Sequence, residues 1–571
     1  MKKTGLVTIL LICCLGVFFV LQKEQKKEIQ APDFLPEDVL FYGEQHEFAT
    51  MYQDFTQSRL GKTLSRIQYA EVAAALGADS IFVEKLLKHW LDVDTFLRAP
   101  GFNQIFGKEF SLALFSAQSF SPENPAKALE ERLLLITRPR PNTKILQFLA
   151  PYFSKGIQQS TAQYGAHVIT RYRLNEREML STVMVDGLVL AALDERLVRK
   201  SLDVYDNKTL TLAENSDFQK FRKRFQGASL FQYISLPALM EQGKMIAGAL
   251  QDDEHRQFLT LLEQWEGWGA VAYGAWKEED LIKETVEILY NPDGFGREVA
   301  GLFGVEASSN KTLAMLPADT LFYYWINSLD LPLLFELYNK TLIEQNPAMY
   351  DLLQQELQDI TGMGVEEILA MVGRECSIVV QDVGANGLPL PKIMIVLQLK
   401  EPQKFKHIFD QILQETEIPI NTKKYMGREI SYWGIAPQVG LQPAFTLFED
   451  YLLLSNSREL LKEIMLLQEE PERNLMNTQG LEKLRKELTR KNNSAAYIHI
   501  DRLADALQKI ATWAGGMAVL QGPETARNVD IVVKELVLPL LDGVSMYKQL
   551  VSRSEVLEKS ILIESTTTVV E

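Results

Sequence analysis

An octapeptide occurs twice in this chain, and that repetition limits the folds open to it more than any other feature. Leu35-Pro36-Glu37-Asp38-Val39-Leu40-Phe41-Tyr42 returns as Leu316-Pro317-Ala318-Asp319-Thr320-Leu321-Phe322-Tyr323, with six of eight positions identical at an offset of 281. Further matches follow in the same order. Lys62-Thr63-Leu64 pairs with Lys340-Thr341-Leu342, Gly107-Lys108-Glu109 with Gly373-Arg374-Glu375, and Asp186 to Leu190 with Asp450 to Leu454. Lys220-Phe221-Arg222-Lys223 then pairs with Lys483-Leu484-Arg485-Lys486, and Tyr233-Ile234 with Tyr497-Ile498. Colinear matches over this length indicate one structural unit written twice. The offset falls to 266 at Gly107 and Gly373, which places a deletion in the second half between Thr341 and Gly373.

Each half follows one coarse order of elements. A first strand (Val39–Glu44; Thr320–Ile326) is rich in β-favouring aromatics and runs into helices. Two strands follow, Phe110–Phe115 with Leu133–Thr137 and Ser377–Gln381 with Ile393–Leu399. A helix comes next (Asn142–Gln158; Gln403–Gln414), then a meander turning at Asp186-Gly187 or Asp450-Tyr451. After two helices and a strand at Tyr233 or Tyr497, more helix leads to a closing hairpin, Ala270–Ala275 with Ile282–Tyr290 or Val544–Leu550 with Lys559–Ile563. Short turns between consecutive strands imply antiparallel pairing, with helices on one face. The expected class is α+β: two tandem copies of an antiparallel-sheet-plus-helices unit, at residues 32–300 and 301–571, behind an N-terminal transmembrane helix in residues 1–31. Leu40 should match Leu321, Asp186 Asp450 and Tyr233 Tyr497, with any binding surface unequal between the halves.

The N-terminal reading rests on Met1-Lys2-Lys3, sixteen mostly apolar residues from Leu6 to Leu21, and the charged stretch Lys23 to Glu28. As a helix the apolar run rises about 24 Å, workable for a ~30 Å hydrocarbon core when flanking lysines snorkel. Small residues suited to signal-peptide cleavage do not follow at the right distance, and bulky Ile12 precedes the cysteine pair, so an uncleaved anchor is expected. The short basic tail should stay in the cytoplasm with the bulk of the chain outside it.

Net charge is −16, from 59 Lys+Arg against 75 Asp+Glu, which repels phosphate backbones and argues against a nucleic-acid partner. Cys13 and Cys14 fall in the apolar run, leaving Cys376 alone in the body, in a sequence that reads as a buried strand. No disulfide framework or CxxC site is available there.

The doubled Leu-Pro-x-Asp-x-Leu-Phe-Tyr opening, the anchor and the long α+β repeats resemble a bacterial family of membrane-anchored envelope proteins known only as a domain of unknown function. The resemblance covers most of the chain from Leu35 onward and implies a membrane-tethered protein without assigned catalysis. No family catalytic residue carries over. Leu35, Pro36, Asp38 and their counterparts therefore read as structural: Leu-Pro sets an extended entry, and Asp38 and Asp319 are expected to bond a backbone N–H at the strand start.

Chemistry-bearing patterns resolve into ordinary structure. Gly61-Lys62-Thr63 has Thr56 where a phosphate loop needs glycine and reads as a helix C-cap. Gly294-Phe295-Gly296 follows a strand but has Val299 at the third glycine position of a dinucleotide fingerprint. His46, His89, His167, His255, His407 and His499 lack paired metal spacing. Asp252-Asp253-Glu254 reads as a solvated helix face, and Trp265, Trp268 and Trp276 as core aromatics beside a turn. Val529, Val532, Val533, Leu536, Val537, Leu540 and Leu541 form an apolar stripe, expected to cover the sheet, with Pro539 kinking its far end; its sharper reading is a groove for an acyl chain or partner helix. No catalytic, cofactor-binding or metal-ligating residue is assigned. The expected function is a non-catalytic, membrane-tethered binding or scaffold protein of the bacterial inner membrane, single-pass and mainly periplasmic. Its partners would be the membrane, through the N-terminal helix, and an envelope protein or lipid. A lipid or hydrophobic-ligand carrier and an unrecognised hydrolase stay open as alternatives.

Overall fold

The computed structural model describes residues 29–570, apart from 107, 117–124, 141–157, 174–177, 208, 248–258, 260–261, 263–265, 296–300, 302, 337–346, 384–388, 416–418, 435–440 and 479. The expected anchor, most of the helix from Asn142, Lys340-Thr341-Leu342 and Asp252-Asp253-Glu254 lie outside the described residues. Among those described, no helix is long and apolar enough to cross a membrane. Two compact units divide the chain near Gly294 and Phe295.

Among the described residues the first unit has the strands β1 (Phe41–His46), β2 (Glu109–Leu114), β3 (Leu133–Arg138), β4 (Gln158–Tyr164), β5 (His167–Arg173), β6 (Met179–Val185), β7 (Leu188–Ala192), β8 (Leu230–Ser235), β9 (Trp268–Glu278) and β10 (Leu281–Tyr290). They pair in the order β10-β9-β8-β1-β2-β3-β7-β6-β5-β4. Gln158, expected to end a helix, opens β4 instead. Its helices are α1 (Phe48–Gln57), α2 (Arg59–Leu64), α3 (Tyr69–Ala75), α4 (Ser80–Arg98), α5 (Pro100–Phe106), α6 (Pro125–Glu130), α7 (Glu195–Tyr205), α8 (Ser216–Arg224) and α9 (Leu236–Ala247).

The second unit has β11 (Thr320–Ile326), β12 (Val372–Val383), β13 (Pro391–Leu399), β14 (Ile420–Tyr425), β15 (Arg428–Trp433), β16 (Ala444–Phe448), β17 (Tyr451–Ser455), β18 (Ser494–His499), β19 (Tyr547–Val556) and β20 (Ser560–Val569). Their order is β20-β19-β18-β11-β12-β13-β17-β16-β15-β14, position for position the order of the first unit. Helices α10 (Pro347–Thr361), α11 (Val365–Leu369), α12 (Pro402–Gln414), α13 (Arg458–Leu466), α14 (Glu482–Thr489), α15 (Ile500–Met517), α16 (Pro523–Val532) and α17 (Leu538–Val544) accompany them.

The repeated octapeptide has one structural use in both units. Leu35 O accepts from Leu212 N at 2.7 Å, and Val39 N bonds back to Pro36 O. In the second unit Leu316 O accepts from Leu475 N at 2.8 Å, and Thr320 N bonds Pro317 O. Proline holds the crossing extended, so the segment docks on the chain entering α8 or α14 before turning into the central strand. The aspartates meet side chains rather than the expected backbone: Asp38 lies 3.6 Å from Lys200 Nζ, and Asp319 accepts from Gln381 Nε2 at 2.5 Å.

Helices cover both faces of the first sheet, not one. On one face Tyr42, Ile136, Leu190 and Tyr233 share a core with Val198 and Leu202 of α7 and Phe218 and Phe221 of α8. On the other, Leu135, Val189 and Ala191 cluster with Phe102, Ile105 and Phe106 of α5. The run Leu133-Leu134-Leu135-Ile136 explains this, since a strand apolar at successive positions must bury both faces.

That two-sidedness also corrects the register of the meander. Val185 pairs with Leu188 across Asp186-Gly187, and Phe448 pairs with Tyr451 across Glu449-Asp450. Leu188 therefore corresponds to Tyr451, and Asp186 to Glu449 rather than Asp450. Leu188 and Leu190 face one core as Tyr451 and Leu453 face its counterpart, and the expected slip of one residue would send each to the opposite face. Asp186 (φ 48°) and Gly187 (φ 80°) are both left-handed, whereas across the second turn Glu449 (φ 54°) is left-handed and Asp450 is not.

Candidate functional site

Where the central strand meets its neighbours, the two units differ most in chemistry. In the first, Glu44 is 4% exposed and holds three partners: Tyr42 Oη donates at 2.6 Å, Arg222 at 2.8 Å, and His46 Nε2 stands 2.7 Å away. Tyr42 also meets Ser111 Oγ at 3.2 Å. Strand alternation puts Tyr42, Glu44 and His46 on one face, and α8 brings Arg222 over the Phe231 ring at 5.2 Å. Burial pushes the Glu44 carboxyl up, but the bonds from His46, Arg222 and Tyr42 outweigh it and bring it down to about 2. The bond to Glu44 raises His46, and burial raises Tyr42.

The second unit fills the same place with an apolar ring. Trp325, at the strand position of Glu44, is fully buried, and Tyr323 bonds Asn310 Nδ2 and Thr312 Oγ1, each at 2.6 Å. Ser377 pairs across from Trp325 as Ser111 does from Glu44. Asn327, at the strand position of His46, bonds Ser308 and Asn493. Tyr323 and Asn327 are buried with these bonds made, while Trp325 Nε1 and Ser377 Oγ are buried without a hydrogen-bond partner among the described residues, so packing of the indole rather than polar pairing fills the place.

The accessible feature lies on the other face of the second sheet. Tyr324 pairs with Ile378, and Ile378 with Ile395, so three apolar side chains stand in line across β11, β12 and β13. They are 39%, 37% and 38% exposed, and Ile393 one step along β13 is 38% exposed. On one side Phe405 and Ile408 of α12 close over Leu399 and Leu452. On the other, Ala506 of α15 packs on Leu321. Between those covers the central strands keep an open apolar floor. Among the described residues of the first unit the same place is covered: Leu135, at the strand position of Ile395, is buried in the cluster of Phe102 and Phe106. An exposed contiguous apolar patch on central strands can take an apolar ligand or the face of a partner.

The motifs singled out in the sequence do not converge here. Gly61 lies inside α2 rather than at a C-cap: Ser58 caps the helix, accepting from Gly61 N at 3.1 Å, and a side chain at Gly61 would meet Phe55 O. Gly294 ends a short 3₁₀ turn, and Gly296 lies outside the described residues. His46, His167 and His499 stand on Glu44, Asp206 and Asp501. Among the described residues no group of acidic, His and Cys side chains could hold a metal. Trp276 stacks on Phe225 and Trp268 edges Tyr290, as core aromatics should, while Trp265 is outside the described residues. Cys376 is free and half-buried in β12, and burial raises its thiol.

The apolar stripe from Val529 to Leu541 does not cover the sheet. α15 packs on β11, β12 and β19, while α17 packs on α15. The stripe residues are all only partly buried. Ahead of Pro539 the helix widens into a π turn over Val533–Val537, where the ring's missing N–H and bulk displace the regular bonding. The row Tyr324–Ile378–Ile395 was missed because its residues are ordinary strand formers, and only the neighbouring helices decide whether they are covered.

No curated protein matches the chain. Among solved structures, "Structure of crystal form III of TP0453" is 10% identical, over 50% of this chain and 90% of that one, with a TM-score of 0.25. "Structure of crystal form IV of TP0453" is 11% identical, over 46% of this chain and 81% of that one, with a TM-score of 0.24. A family model described as a protein of unknown function (DUF3352) matches residues 106–509, well over half of the length and reaching into both units. The chain belongs to that family.

Proposed function

We propose that the chain is a non-catalytic, membrane-tethered binding protein of the bacterial cell envelope, built from two tandem copies of one α+β unit. The observation that carries the binding role is the open row Tyr324–Ile378–Ile395, left between α12 and α15 on strands whose other face is fully buried. The shared strand order, the doubled octapeptide and its identical hydrogen bonds support the tandem reading. The apolar run Leu6 to Leu21 behind a short basic tail supports the tether and the extracytoplasmic body. A second reading, a carrier of hydrophobic ligands, draws on the same row, since neither its three side chains nor the neighbouring Ile393 carries a charge.

A photo-crosslinking side chain placed at Ile395 in the full chain, in its native membranes, tests both. Discrete protein adducts that vanish with Ile378→Asp support the binding role, and lipid adducts alone favour the carrier. Adducts no more abundant than those from the same probe at Lys392 overturn the site. An alkaline phosphatase fused to the C-terminus should be active, and an inactive fusion would overturn the topology.

A further inference from the structure

α15 and α16 form a helical hairpin whose tip has an unusual composition. From Ile510 to Pro523 there are fourteen residues without a charge, bounded by Lys509 and Glu524. The base of α15 is seated, with Ala504 and Ala506 buried and Leu503 and Ile510 packed beside Leu321. Beyond it exposure rises: Trp513 is 41% exposed, Met517 44%, Val519 65% and Leu520 78%. Trp513 and Met517 follow the i, i+4 spacing of one helical face, and Val519 and Leu520 stand on the turn that follows. The chain turns back through a 3₁₀ turn at Ala518–Gln521 and Gly522, whose φ of 117° only glycine adopts easily.

We propose that this tip is a second membrane contact, inserting Trp513, Met517, Val519 and Leu520 into the interfacial layer of a phospholipid bilayer. Charge decides the class of partner. A protein-facing patch is normally rimmed by polar and charged groups that fix register, whereas here charge is excluded from the whole turn and returns at both helical stems. Size points the same way. Four side chains expose on the order of a few hundred Å², short of the ~800 Å² that each partner buries in a stable protein contact. A bilayer sets no such minimum, and tryptophan is enriched at its interface. The contact is independent of the N-terminal anchor and of the row on β11 to β13.

The test uses the full chain in vesicles of phosphatidylethanolamine and phosphatidylglycerol carrying a photoactivatable phospholipid. Trypsin cuts after Lys509 and Arg527, isolating the tip as residues 510–527, so its lipid adducts are read separately from those of the anchor, which report that the chain has inserted. The tip should carry lipid adducts well above those on the segment of exposed Met349, Leu352 and Leu353. Val519→Glu with Leu520→Glu should cut them about tenfold, the factor corresponding to about 1.4 kcal/mol, and leave anchor adducts unchanged. Both residues face solvent, so the variant keeps its fold, and an unchanged thermal transition checks this. Tip adducts at the level of the Met349 segment, insensitivity to the double substitution, or tip-to-protein crosslinks in place of lipid adducts would each overturn the proposal.

Discussion

Replacing Glu44 by glutamine keeps the side-chain shape and removes the one charge on which three partners converge. A carboxyl that titrates at 4.5 when unfolded and at about 2 in the fold contributes about 3 kcal/mol at neutral pH. Because the folded value is the lower one, that contribution is complete well above 4.5 and drains away as pH falls toward 2. At about pH 3.5 roughly 1.4 kcal/mol of it is already gone. His46 runs the other way: its folded value is raised, so its share is complete below 6.5 and is lost as pH rises through the folded value. The gap between the native chain and Glu44→Gln should therefore be widest near pH 5.5, at about 3 kcal/mol, and narrow on acidification by about half. Urea unfolding followed by hydrogen exchange in the β1 and β8 segments reads the first unit directly. A gap below about 1 kcal/mol, or one that stays constant between about pH 5.5 and pH 3.5, would refute the buried-charge account.

Two smaller changes test local geometry. Gly61→Ala puts a Cβ 2.0 Å from Phe55 O, so the α1–α2 junction must move; a cost of about 1–3 kcal/mol should appear as faster limited proteolysis between α1 and α3. Glu449→Asn relieves a left-handed residue at φ 54° and should raise the thermal stability of the second unit by about 0.5–1 kcal/mol, and a loss of stability would count against that turn.

Much of the scaffold could be read from the residues alone. The octapeptide marked the central strand of each unit, and Tyr233 and Tyr497 do pair with Tyr42 and Tyr323 across that strand. The meander was read one residue out because Asp186-Gly187 suggested aligning aspartate with aspartate, whereas side-chain facing aligns Asp186 with Glu449. Helices on one face were expected from an antiparallel sheet joined by short turns, and the run Leu133-Leu134-Leu135-Ile136, apolar at successive positions, overrides that. The Glu44 network was invisible for a simpler reason: Arg222 lies 178 positions away, and nothing local marks either residue as a partner. The open row on β11 to β13 depends on which helices stop short of it, a property of packing that strand composition does not encode.

The contrast between Glu44 and Trp325 also bears on how freely the two halves of such a chain can exchange residues. Arg222 has its counterpart in Arg485, whose Nε is buried without a hydrogen-bond partner among the described residues. Moving tryptophan into the first unit alone would strand the Arg222 guanidinium and His46 beside an indole. Moving glutamate into the second would place a carboxylate in a space shaped for an indole, with Asn327 rather than His46 beside it and Tyr323 already bonded to Asn310 and Thr312. Each single step passes through a chain worse than either end point, so a substitution neutral in one half is costly in the other. Recombinant chimeras of the two units should tolerate exchange of the central strand together with α8 or α14 as a block, while residue-by-residue grafting at this position should fail in both directions.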